Sequence, residues 1–69
     1  MKRELSPRES QVMALVCKGI LSKEIAVELG LSHRTVEVHR SSAIAKLDAR
    51  NAAHAAAMLT EARMIAQGV

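Results

Sequence analysis

Residues 23–39, KEIAVELGLSHRTVEVH, leave few alternatives to two helices meeting at a sharp angle. Ile25, Ala26 and Leu29 recur at helical spacing, with Lys23, Glu24 and Glu28 on the other side. Gly30 supplies the left-handed residue that ends such a helix. Two residues later, Ser32 is placed to cap a second one, with Arg34 and Thr35 in its first turn. Only Leu31 stands between them, and it is expected to insert into the angle and fix it. The layout predicts a helix-turn-helix.

The flanks add two more helices. Ser6-Pro7-Arg8-Glu9 combines a cap, a proline at the first helical position and an acid that closes a capping box, with Leu5 as a hydrophobic staple. This predicts a first helix over 7–18, with Val12, Leu15 and Val16 inward, Met13 nearby and Gly19 at its end. The second and third helices span about 22–29 and 33–47. On the third, Val36, Ala43 and Leu47 share a face where Arg40 buries only its methylene stem. Asp48-Ala49-Arg50-Asn51 breaks the pattern, and Asn51 caps a fourth helix over 51–66. Its stripe is Ala55, Met58, Leu59, Ala62 and Ile65, read either as core packing alone or as a dimer contact too. The expectation is an all-α, compact four-helix domain spanning residues 1–69.

Size limits what this domain can do. Sixty-nine residues without Phe, Tyr or Trp make a thin core of aliphatic side chains, with no room for an enclosed catalytic pocket. His33, His39, His54 and the single Cys17 have no metal-ligand spacing, and Ser41 and Ser42 lack a local base. No paired carboxylates or glycine-rich phosphate loop stand out, so no catalytic, cofactor or metal residues are assigned and no small-molecule substrate is expected. Cys17, in an apolar stretch, reads as a small buried hydrophobe. No secretory signal or membrane-length apolar run is present, which points to the cytoplasm.

Ten Lys and Arg against seven Asp and Glu give a formal charge of +3, too modest a bias to name a partner. Placement says more, because Arg34, Arg40, Lys46 and Arg50 all follow the turn. The start of the third helix offers free N–H groups and a positive dipole end to a phosphate. Arg34, Thr35 and Lys23 are placed to clamp a DNA backbone; Lys46 either joins them or stays solvated. Within a major groove, Val38 suits a thymine methyl, Arg40 guanine and Ser41 either edge. Glu37 repels phosphates but accepts from cytosine N4, so it belongs over bases. His39 has two readings, a phosphate contact or an interior brace bonded to a carbonyl.

Leu5-Ser6-Pro7-Arg8-Glu9, Gly19, Ser22-Lys23-Glu24-Ile25-Ala26, Leu29, Ser32, Arg34-Thr35-Val36-Glu37-Val38-His39-Arg40 and Lys46-Leu47 together resemble the LuxR-type (GerE-like) helix-turn-helix domain. The likeness runs toward the FixJ/NarL group of response regulators. It implies sequence-specific binding of double-stranded DNA for transcription regulation, with the fourth helix forming a homodimer and RNA polymerase as a further candidate partner. It also implies that Lys23, Arg34, Thr35, His39 and Lys46 lie at or support the backbone contact, and that Glu37, Val38 and Ser41 face the groove. Glu9 matches an acidic position that is structural in the family. The chain is then the effector domain of a response regulator or a stand-alone regulator. A competing reading is a protein-interaction module that masks a partner regulator through the fourth helix.

Three positions depart from the family pattern. Leu21-Ser22 stands where Ser or Thr followed by Asn is usual, so the second helix lacks its side-chain cap. Ala43 replaces a larger aliphatic residue, with Ile44 positioned to rotate into the space. His54 replaces an acid near the start of the fourth helix, where a positive charge opposes the dipole.

Overall fold

The computed structural model describes residues 4–66, with side chains to residue 61. Four helices follow one another: α1 (Pro7–Cys17), α2 (Ser22–Leu29), α3 (His33–Lys46) and α4 (Ala52–Ala66). The expected all-α architecture is the observed one, with helix ends within a residue of their predicted positions.

Local chemistry explains each start. Ser6 accepts the Glu9 N–H at 3.1 Å while Glu9 accepts the Ser6 N–H at 2.8 Å, so the capping box is complete. Ser32 accepts the Thr35 N–H at 3.0 Å and donates to the Thr35 hydroxyl at 2.8 Å. Asn51 accepts the His54 N–H at 2.9 Å, and His54 Nδ1 accepts the Arg50 N–H at 3.1 Å. That bond requires Nδ1 to be unprotonated, so the imidazole acts here as an acceptor. α2 alone has no side-chain cap, because Leu21 occupies that position.

The first three helices end in the same way. Gly19 and Gly30 have φ of 81° and 69°, and Asp48 takes 55° at the end of α3. At each end two N–H groups turn back onto carbonyls: Gly19 to Val16 and Ile20 to Leu15, Gly30 to Val27 and Leu31 to Ala26, Asp48 to Ala45 and Ala49 to Ile44. These locks satisfy carbonyls that the helices leave open, and they set the sharp exits.

α1 packs against α3 and α4, and α3 in turn meets both α2 and α4. The α1 neighbours Val12 and Met13 feed two different clusters. Val12, Ile25, Ala26 and Val36 join α1, α2 and α3, with Leu31 packed against them as the turn predicted. Met13, Ala43 and Ala55 join α1, α3 and α4, flanked by Ile44, Leu47 and Leu59. Val16 touches both. Burying Val12, Met13, Ile25 or Val36 stabilises the fold by about 1.5–3 kcal/mol each. Ile44 fills in beside the small Ala43, which is fully buried.

Two expectations are corrected. Cys17 is exposed rather than buried, its Sγ 3.7 Å from the Ala56 carbonyl. It borders an open groove with Ser10, Ala14 and Leu59, where small side chains leave it uncovered. Ala55, assigned to a dimer contact, is fully enclosed in the monomer core and presents nothing to a second copy.

Asp48 is the only one of the three left-handed terminators with a side chain to strain. Asp48→Gly should raise stability by about 0.5–1 kcal/mol, once the unfolded-state entropy of glycine is subtracted. That corresponds to about 3–6 °C in Tm for a domain of this size. An unchanged or lower Tm in calorimetry would show that the aspartate is unstrained.

Candidate nucleic-acid interface

α3 divides cleanly into an inner and an outer side. Val36 and Ala43 are buried, and Thr35, His39, Arg40, Ser42, Ile44 and Lys46 are half-buried. His33, Arg34, Glu37, Val38, Ser41 and Ala45 are exposed. Their spacing of three and four residues makes one continuous stripe along the helix. At its centre Val38 is 57% exposed, a large apolar side chain outside both core clusters of the described residues. Lys23 is exposed on the neighbouring α2.

The predicted backbone set separates into two kinds. Lys23 and Arg34 are exposed and form no ion pair among the described residues. The first turn of α3 lies beside Arg34; its Thr35 N–H is taken by Ser32, and Thr35 itself is bonded into that cap. His39 is half-buried, and its side chain has no hydrogen bond among the described residues. Lys46 is engaged within the domain: its ammonium donates to Glu9 Oε1 at 2.8 Å.

Glu9 gathers three donors. Oε1 accepts from Lys46 and from the Ser6 N–H, and Oε2 accepts from the Ser42 hydroxyl at 2.6 Å. The residue is only 5% exposed. Lys46, then Ser42, then the Ser6 N–H hold its carboxyl at about 2, well below the ordinary 4.5. The start of α1 is thereby fastened to the far half of α3.

The predicted base-reading set also divides. Glu37, Val38 and Ser41 lie on the exposed stripe. Arg40 does not: its Nη1 donates to Ser22 on α2 and, at 2.9 Å, to Glu37 Oε2. Ser22 in turn donates to the same Glu37 oxygen at 3.2 Å. Arg40 is therefore a link between α2 and α3. Sequence reasoning missed Ser22 and Ser42. Ser22 precedes Ile25, Ala26 and Leu29 by three, four and seven residues, which places it on the inward face. Ser42 precedes Lys46 by four, which places the pair on one side.

On α4, Met58 and Leu59 are half-buried, and Leu59 packs against the second cluster. The side chains of Ala62 and Ile65 lie outside the described residues. Among the described residues, no group of three His, Cys, Asp or Glu gathers as a metal site. None of the described helices is long and apolar enough to cross a membrane.

A capped recognition helix, braced from behind and exposed in front, is the arrangement of a helix-turn-helix DNA-binding domain. The family model for bacterial regulatory proteins of the luxR family, GerE, matches residues 3–59, and the chain belongs to that family. It is 54% identical over 50 residues to the C4-dicarboxylate transport transcriptional regulatory protein DctR of Rhodobacter capsulatus, covering 72% of this chain and 25% of DctR. It is 48% identical over 50 residues to the transcriptional regulatory protein FixJ of Rhizobium meliloti, covering 72% of this chain and 24% of FixJ. To the transcriptional regulatory protein UhpA of Escherichia coli it is 49% identical over 47 residues, covering 68% and 24%. The chain thus spans about a quarter of the length of these relatives, and it groups with the response regulators.

The Glu9 arrangement sets a pH dependence. Because the carboxyl titrates lower in the fold than its ordinary 4.5, its stabilisation is complete above that value and is lost as pH falls toward about 2. Glu9→Gln should melt several degrees lower at pH 7, with the gap to wild type closing between pH 4.5 and 2. A gap that is constant with pH in thermal melts would remove the ion pair as its cause.

Proposed function

We propose that this chain is the sequence-reading module of a transcription regulator, binding double-stranded DNA with α3 in the major groove. The observation that carries this is the exposed stripe of α3, whose chemistry is mixed rather than uniformly basic. Arg34 and the first turn of α3 engage one phosphate, and Lys23 on α2 engages another. Thr35 supports that contact through the cap, and His39 lines its inner edge. Glu37, Val38 and Ser41 then face base edges, with the Val38 methyls suited to thymine.

The family resemblance supports a homodimer on DNA through α4. With Ala55 internal, the contact falls to Met58, Leu59 and the residues beyond them, Ala62 and Ile65. Regulation by an attached receiver domain, contact with RNA polymerase and a cytoplasmic site of action fit a response regulator of this family. They are proposed on that basis alone.

Selection from a randomised duplex pool, followed by electrophoretic titration at several salt concentrations, tests the reading. Arg34→Ala should weaken binding to all sequences alike and flatten the log–log salt slope by about 1. Val38→Ala and Ser41→Ala should instead change the preference at single base pairs and leave that slope alone. Ala62→Glu should lower apparent affinity for a paired site far more than for a half-site. Equal affinity of the wild-type chain for selected and random duplexes would sink sequence-specific readout.

A further inference from the structure

The Arg40 link has a consequence for readout, and it rests on α3 being the groove-facing helix. Glu37 is an awkward residue for a DNA surface, since phosphates repel its charge. Here that charge is compensated from within. Oε2 accepts from Arg40 at 2.9 Å and from Ser22 at 3.2 Å, while Oε1 has only His33 Nε2 near it, at 3.9 Å and beyond hydrogen-bond reach. The two oxygens therefore differ in role. One is held against the protein, and the other keeps its lone pairs on a side chain that remains 47% exposed. The Arg40 side chain is 28% exposed, and its Nε is buried without a partner, so the two bonds from Nη1 set its position.

We propose that Arg40 is a positioning residue for base recognition, clamping Glu37 between α2 and α3 so that Oε1 selects cytosine in the major groove. Base edges give the reason. Guanine presents only acceptors there, and thymine presents O4 and a methyl, so both disfavour a carboxylate. Adenine offers N6 beside the acceptor N7, whereas cytosine offers N4 alone. A fixed carboxylate oxygen separates these edges more sharply than a freely rotating one, because a swinging side chain can withdraw from an acceptor. Ser22 gives the clamp its reach across the turn, so the angle between α2 and α3 and the aim of Glu37 are set by the same bonds.

The test compares wild type, Arg40→Met, Arg40→Lys, Ser22→Ala and Glu37→Gln on duplexes varied one base pair at a time, at two salt concentrations. Glu37→Gln should move the preference at one base pair from C·G toward A·T, since an amide pairs with adenine N6 and N7. Arg40→Met should lose about tenfold of discrimination at that same base pair, within the range a good base contact supplies. Other positions and the salt slope should not move. Ser22→Ala should act in the same direction, more weakly, and Arg40→Lys should recover part of the loss. A change at a different base pair would make Arg40 a base reader; a uniform loss with a flatter salt slope would make it a phosphate contact. Either result overturns the proposal, as does an unchanged preference. A DNA-free measurement separates this idea from its parent. Nitrogen NMR should show hindered rotation of the Arg40 guanidinium in wild type and free rotation in Ser22→Ala and Glu37→Ala. Free rotation in wild type overturns the clamp even where specific DNA binding is intact. Hindered rotation in a chain with no base preference overturns the readout reading, and the selecting role of Glu37 with it.

Discussion

The orientation of α3 depends on one carboxylate. Glu9 belongs to the first turn of α1, yet its bonds to Ser42 and Lys46 reach the C-terminal half of α3. An isolated charge at such depth is strongly disfavoured, and a buried pair stabilises only when its remaining lone pairs are satisfied. Glu9 meets that condition with an ammonium, a hydroxyl and a backbone N–H. The capping box does more than start α1, because it holds the carboxylate where Lys46 can find it. Local capping and long-range docking thus share one side chain, and neither can be altered alone.

Apolar packing could not supply this orientation unaided. Without aromatic side chains, each cluster rests on a few aliphatic residues joined through α1, and several of their contacts are alanines. Small residues bring helices close but leave little surface to specify an angle. Directional bonds fill that role: Glu9 to Ser42 and Lys46 at one end of α3, Arg40 and Glu37 to Ser22 at the other. The two reversed N–H pairs at Gly30 and Leu31 then fix the turn between them. The recognition helix is pinned along its length by polar contacts, with Val36 and Ala43 buried on its inner face.

Most of the fold was legible in the sequence because its signals are local. Ser6, Ser32 and Asn51 cap where a side-chain oxygen three residues before an N–H must cap, and Gly19 and Gly30 end helices where φ turns positive. The uncapped start at Leu21 was equally readable. Partners distant in the chain were not. Lys46 and Arg40 are long, charged and follow the turn, and nothing local reveals that Glu9 and Ser22 lie within their reach. Periodicity assigned Ala55 correctly to the apolar stripe, but a stripe has no label saying whether its partner is this chain or another. Cys17 failed for a related reason, since burial depends on the neighbours that cover a side chain, and here Ser10, Ala14 and Leu59 leave an open groove beside it. The exposed residues Glu37, Val38 and Ser41 were legible by subtraction, because the helical period left them no place in the core.

These internal pairings change the electrostatic character of the domain. Formal charge counts Arg40 and Lys46 among the cations after the turn, but Glu37 and Glu9 neutralise both. Lys23, Arg34 and Arg50 remain exposed and outside any ion pair among the described residues. Each neutralised phosphate contributes about 0.9 to the salt slope, so on the proposed reading, with Arg34 and Lys23 as the phosphate contacts, a single domain holds random DNA weakly. Weak non-specific attraction has a use, since specificity is a difference between affinities and genomic competitors outnumber any target. On that reading it also has a cost, because the base contacts proposed for one short stripe then carry most of the binding. Joining two such stripes raises affinity for a paired site through effective concentration, without adding charge that would reward every sequence. A lightly charged reading head gains the most from being doubled.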